Sequence, residues 1–280
     1  MIVDCHSHIM LYPGHISDTF VAEASRAKSE PVNLNAAPED HWQAMGPVDT
    51  AIVFGMRAKH TGLVVPNDFV ADYVKQHPEK LIGFASVDPN EPDYMDELKR
   101  ATKGLGLRGL KLAPIYQNYH PLDERILPVY EFCERNDLPI LIHQGTTFPR
   151  LGPLKYAPPI LLEDVAFQFP KLTMIIAHMG HPWIAETIAL VRKQPNFYTD
   201  ISALFYRPWQ FYNALILAHE YGVINKLLFG SDYPFTTPQQ TVEALKNVNG
   251  IVGASGLPQI PEKAIDEIIY RDSLRLLNLT

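Results

Sequence analysis

The chain has 280 residues, 46% hydrophobic and 20% charged, with a formal net charge of −7. That length suits one large barrel or two ordinary domains, and the composition is that of a globular protein with a substantial core. The acidic balance argues against nucleic acid or an anionic membrane surface as a partner, while leaving room for a locally cationic site that takes a small-molecule substrate.

Short β-rich runs alternate with longer segments of helical pattern, the signature of βα units around a parallel sheet. In chain order the expected strands are residues 2–5, 50–54, 81–87, 106–112, 139–143, 172–178, 196–201 and 226–230. Their apolar residues run nearly without interruption, as when both faces of a strand are covered. Residues 15–38, after the first strand, show weak periodicity and read as a long loop or lid. Helices are expected at 66–76, where Pro66 suits a first helical position, and at 123–136, where Ile126, Leu127, Tyr130 and Cys133 recur at three-to-four spacing. Two more, at 182–193 and 237–247, open on proline or Thr-Pro start signals. The last stretch, 261–277, presents Ile265, Ile268, Ile269, Leu274 and Leu277 for packing on the strands. No low-complexity linker splits this pattern. The expectation is therefore an α/β protein with a (β/α)8 TIM barrel, a single domain over residues 1–280. An open doubly wound sheet would carry a glycine-rich loop after its first strand, where this chain has Asp4-Cys5-His6-Ser7-His8.

No basic leader with a cleavage site opens the sequence, and no apolar run approaches the roughly 20 residues of a membrane helix. Two cysteines, Cys5 and Cys133, are too few for a disulfide framework and read as buried thiols. A reducing, cytoplasmic location is the expectation. No segment identifies an oligomer interface, and a homo-oligomer is compatible with the sequence.

The chemical signal is positional. His6 and His8 follow the first strand, His143 ends the fifth, His178 ends the sixth and Asp232 follows the eighth. In a (β/α)8 barrel these strand ends converge on one mouth. His6 and His8, two apart in extended chain, point to the same side. With His143 and Asp232 they make a suitable site for one divalent metal, Zn2+ first, with Mn2+, Fe2+ or Co2+ as alternatives. Taken singly, an H-x-H pair is a common chance pattern, a histidine ending an apolar strand is commonly structural, and Asp232 could cap a helix or hold a turn. The shared register over four strands is what turns them into a site.

Four segments carry a family resemblance: Val3-Asp4-Cys5-His6-Ser7-His8, Pro139-Ile140-Leu141-Ile142-His143, Ile176-Ala177-His178-Met179-Gly180, and Leu228-Phe229-Gly230-Ser231-Asp232-Tyr233-Pro234. In this order they resemble the amidohydrolase superfamily. The likeness is to the amidohydrolase-related branch that includes aminocarboxymuconate-semialdehyde decarboxylase and γ-resorcylate decarboxylase. The resemblance implies that His6, His8, His143 and Asp232 bind the metal. It also implies that His178 is the catalytic acid or base, with Asp232 able both to ligate and to accept a proton. A histidine beside a metal suits proton transfer on its own account, because its ordinary pKa lies near neutrality. Lys111 falls where binuclear relatives carry a carbamylated lysine, so a second metal is an alternative to a cationic Lys111 that binds a substrate carboxylate or a lysine that packs through its stem. Arg57 and Tyr206 are expected substrate contacts, and Arg150, Arg207, Trp209 and His181 are further loop residues that an anionic substrate could engage. Two reactions fit: hydrolysis of an ester, lactone or amide by metal-activated water, taken first because of the compact length and the strand-four lysine, and non-oxidative decarboxylation of an aromatic or unsaturated acid. A metal-binding protein without activity is the third reading, disfavoured because a site open at a barrel mouth suits catalysis.

Overall fold

The computed structural model describes residues 1–29 and 31–280. Eight parallel strands form one sheet in sequence order: β1 (Val3–His8), β2 (Thr50–Phe54), β3 (Leu81–Ser86), β4 (Leu110–Leu112), β5 (Ile140–Ile142), β6 (Met174–Ile176), β7 (Phe197–Asp200) and β8 (Leu227–Leu228). The ring closes by backbone bonds between β1 and the residues just after β8: Cys5 N–H donates to the Phe229 carbonyl at 2.9 Å, and Asp232 N–H to the His6 carbonyl at 2.7 Å. The fold is thus the expected (β/α)8 barrel, with helices in every crossover. Among the described residues no helix is long and apolar enough to cross a membrane.

Strand parity sorts the core. Ile52 and Phe54, Leu141, and Ile175 pack into an inner cluster with Val3, Cys5, Phe84 and Leu228, while Ala51 and Val53, Ile140 and Ile142, and Met174 and Ile176 face the helices. This two-residue period places Lys111, flanked by the outward Leu110 and Leu112, inside the barrel. In β1 the pairing register with β2 shifts between Asp4 and Ser7. The shift changes parity, so Val3 and Cys5 point inward at one level and His6 and His8 at the next.

One expectation needs correction. Residues 15–38 are not irregular throughout but hold α1 (Asp18–Lys28), whose N-cap Ser17 accepts from Phe20 N–H at 3.2 Å. Asp18 lies in its first turn and Arg26 and Lys28 in its last, in accord with the helix dipole. The periodicity was weak because only Phe20 and Ala24 of α1 are buried. Strand ends also differ: β1 runs on through His8, while β6 stops at Ile176, and His178 lies in a turn with φ of +55°.

Candidate active site

His6 is the hub of the cluster. Its Nδ1 lies 2.9 Å from Asp200 Oδ2 at the end of β7, which assigns the ring proton to that nitrogen and leaves Nε2 as a lone-pair donor. Around His6 Nε2 stand Asp232 Oδ1 at 3.1 Å, His8 Nε2 at 3.3 Å and Lys111 Nζ at 3.3 Å. His8 Nε2 is also 3.3 Å from Asp232 Oδ1. His178 stacks on His6 with ring centroids 4.8 Å apart, and its Nδ1 is 2.8 Å from Ser202 Oγ. One ligand atom each from His6, His178 and Asp232 falls within 4.8 Å of the other two.

The electrostatics follow from burial against mutual charge. Burial and Lys111 oppose a charge on His6, but Asp200 and Asp232 outweigh them and raise its pKa. Burial would lift Asp232, yet His178 and His6 hold it well below the usual carboxylate range, and His6 does the same for Asp200. Burial pushes His8 down to about 4 and Lys111 down to about 8. Two lone-pair atoms, His6 Nε2 and Asp232 Oδ1, face each other at 3.1 Å, an arrangement that demands a cation or a proton between them. Imidazole nitrogens and a carboxylate suit a divalent transition metal in that role, so the donor set fits the ion implied by the sequence.

The backbone is strained where it presents these groups. His178, Ala203 and Asp232 have φ of +55°, +55° and +62°, a region that costs residues other than glycine roughly 1–3 kcal/mol each and clusters at functional sites. Gly230 has a different reason: a Cβ there would stand 3.0 Å from His6 Cβ, so only glycine lets the residues after β8 approach β1 this closely.

Above the cluster opens a cavity of about 350 Å3. Its apolar walls include Met10, Phe20, Met56, Tyr116, Phe148 and Phe235, and α1 lies across it, contributing Phe20, Ala24, Arg26, Ala27 and Lys28. Lys28 Nζ sits 3.3 Å from the centroid of the Tyr206 ring, joining α1 to the loop after β7.

Of the residues singled out in the sequence, His6, His8, Lys111, His178 and Asp232 converge. His143 lines the cavity beside His178, ring centroids 5.1 Å apart, but its Nε2 is 2.9 Å from the Thr146 carbonyl rather than in the donor cluster. Tyr206, Arg207 and His181 line the cavity, whereas Arg150 and Trp209 do not. Arg57 is also outside it: its guanidinium turns to Glu91 at 3.4 Å, which removes it from the expected substrate contacts. Sequence reasoning missed Asp200, Ser202, Arg26 and Lys28. Asp200 had a signal, since it ends a strand in the same register as the histidines. It also missed Asp4, whose Oδ1 accepts from His6 N–H and Ser231 N–H, both at 3.0 Å, and whose pKa burial raises to about 6.

Comparison with known proteins decides the family: the amidohydrolase family model matches residues 3–279. The chain belongs to the amidohydrolase family. This amidohydrolase is similar to γ-resorcylate decarboxylase of Polaromonas sp. (strain JS666 / ATCC BAA-500), with 24% identity over 250 residues, covering 72% of this chain and 74% of the relative. Among solved structures it is similar to an uncharacterised TIM-barrel protein, Bb4693, of Bordetella bronchiseptica, with a TM-score of 0.75, 22% identity, and coverage of 99% and 98% of the two chains. It is also similar to a dihydroxybenzoic acid decarboxylase of Polaromonas sp. JS666, with bound manganese and the inhibitor 2-nitroresorcinol, at a TM-score of 0.65, 17% identity, and coverage of 99% and 97%.

Proposed function

We propose that this amidohydrolase is a metal-dependent, non-oxidative decarboxylase of a small aromatic or unsaturated carboxylic acid, acting as one catalytic domain over residues 1–280. The observation that carries the reading is the siting of the His6–His178–Asp232 cluster at the floor of a largely apolar, aromatic-walled cavity sized for a single small ring. The decarboxylase relatives support this reaction over the hydrolysis that sequence reasoning put first.

His6, His178 and Asp232 would hold one divalent ion, with His8 adjoining. A second ion with carbamylated Lys111 is not needed, because Lys111 Nζ already lies beside His6 and over the Phe54 ring at 4.8 Å. The ion, when bound, supplies Lewis acidity to substrate oxygens. Asp200 keeps the His6 proton on Nδ1. The apolar walls exclude water and favour loss of charge from the carboxylate as neutral carbon dioxide departs. The bond from the ring carbon to the carboxylate breaks, its electron pair remains on carbon, and the new C–H bond takes a proton that enters from solvent and is passed on at the floor by Asp232 or His178. Lys111 offers positive charge to the anionic substrate.

The test is incubation of the Mn2+- or Zn2+-loaded enzyme with a hydroxybenzoate panel in deuterated water, beside aryl esters and lactones. Carbon dioxide release with one deuterium in the product ring is expected. Turnover of the esters or lactones alone would overturn the proposal in favour of hydrolysis.

A further inference from the structure

The cavity wall holds a guanidinium, that of Arg207, outside the donor cluster. Among the described residues, Arg26, Lys28, Lys111 and Arg207 line the cavity with one carboxylate, Asp232. Asp232 lies within the field of Lys111. Among the described residues neither Arg26 nor Arg207 forms an ion pair. Arg26 is occupied in tying α1 to the loop after β5, donating to the Phe148 carbonyl at 3.2 Å. Arg207 is different. It is half-buried, lies 4.6 Å over the Tyr206 ring with a hydrogen bond to that side chain, and donates a long 3.4 Å bond to the Ala203 carbonyl. A guanidinium has five N–H donors in a planar fork shaped for a carboxylate, and much of that capacity is unspent here.

His181 lines the same cavity, and burial, with Arg207 adding to it, lowers its pKa to about 4, so the ring is neutral. The His181 Nδ1 atom is buried and has no hydrogen-bond partner. An unmatched ring nitrogen and a guanidinium with donors to spare, both lining one cavity, form a site that lacks its acceptor. His181 follows His178 by three residues, so this wall adjoins the reaction floor, and a molecule filling a cavity of about 350 Å3 meets both.

We propose that Arg207 and His181 form a subsite for a second carboxylate, so that the substrate is a dicarboxylic acid: one carboxylate is lost at the His6–His178–Asp232 floor and the other is held at this wall. The substrate class rests on the decarboxylase reading; the subsite itself does not.

The experiment is therefore one of binding. The metal-loaded protein is titrated calorimetrically with benzene-1,3-dicarboxylate and with benzoate, neither of which needs to turn over. The dicarboxylate is expected to bind roughly 10-fold or more tightly than benzoate, the size of one charge-assisted bidentate contact. Arg207→Gln is expected to abolish that preference while leaving benzoate binding within about two-fold, and Arg207→Lys to retain part of it. His181→Asn should reduce the preference by a few-fold. Equal affinity of the two probes in the unaltered protein would overturn the subsite, as would a preference that survives Arg207→Gln. If hydroxybenzoates and dicarboxylates alike released no carbon dioxide while the preference persisted, the reaction would fall and the subsite stand.

Discussion

Asp200→Asn separates a metal-binding cluster from a stack of structural histidines. Asp200 is fully buried and accepts from His6 Nδ1 at 2.9 Å, His178 N–H at 3.0 Å and Ser202 N–H at 3.1 Å. Asparagine keeps the shape but removes the charge that makes His6 basic. If its amide nitrogen turns toward His6, donor meets donor, and the ring proton is driven onto Nε2, the atom that faces Asp232 and His8. Either outcome weakens Nε2 as a ligand. Loss of such a supporting carboxylate costs roughly 10- to 100-fold in metal affinity, which is about 1.4–2.7 kcal/mol. The metal-free protein also loses hydrogen bonds to a charged acceptor, roughly 1.5–3 kcal/mol. Competition against a chromophoric chelator near neutral pH measures the first quantity, and a denaturant melt the second, with circular dichroism to verify the fold. Unchanged metal affinity in a folded variant would refute the role given to Asp200 and to the His6 tautomer.

Three further outcomes are expected. His178→Ala should weaken metal retention more than His143→Ala, because His178 shares the donor cluster while His143 Nε2 faces the Thr146 carbonyl; the opposite order in metal analysis would restore the ligand set expected from sequence. Gly230→Ala should destabilise the protein by about 1–3 kcal/mol and loosen the metal, since the new Cβ meets His6 Cβ at 3.0 Å; a melt at the unaltered midpoint would count against that contact. The metal-free protein should melt lower as pH falls below about 6.5, through the titration of His8 and His41, which burial lowers to about 4 and about 3. In these two the folded value lies below the unfolded one, so their stabilisation is complete above pH 6.5 and is lost progressively as the pH falls toward the folded values. His6 and Asp4, both raised in the fold, run the other way and soften the slope. A melting temperature that rises on acidification from pH 7 to pH 4 would contradict this balance.

The barrel was legible because its physics is local. Strands buried on both faces must be apolar along their length, and that alone marks eight segments and the residues at their ends. Lys111 could be read as unusual for the same reason, being a charge inside such a run. What stayed hidden depended on small departures from the regular period. The register shift between Asp4 and Ser7 moves the inward set of β1 by one residue, and sequence carries no mark of it. His178 leaves its strand through a left-handed turn, which brings it to the cluster that a regular strand end would have denied it. α1 escaped notice because Phe20 and Ala24 are its only fully buried residues, with Val21 packed beside them. With it went Arg26 and Lys28, whose place over the cavity depends on that helix folding back across the mouth. Asp200 was the avoidable omission, for strand parity with Tyr198, which packs on the inner cluster, points its carboxylate inward.

The site and the closure of the barrel are one structure. β1 and the residues after β8 are held together by bonds from Cys5 N–H to Phe229, from Asp232 N–H to His6 and from His8 N–H to Tyr233, the last at 2.9 Å. Asp4 spans the same seam with one carboxylate oxygen, taking N–H groups from His6 and Ser231. Ser7 faces outward from this seam and meets His41 Nε2 at 2.9 Å, while His41 Nδ1 meets the Tyr73 hydroxyl at 2.9 Å. Ser7 Oγ donates to the Ile52 carbonyl, so it accepts from His41 Nε2–H, and Tyr73 in turn donates to His41 Nδ1. Helices α2 (Pro38–Ala44) and α3 (Asn67–Val74) are thereby bonded to the one residue that separates His6 from His8. The cost of gathering mutually repelling donors is met by the same hydrogen bonds that shut the ring. Variants that open this seam should therefore lose barrel stability and ligand geometry together, and variants of the cavity wall, Arg207 among them, should change ligand preference without moving the melt.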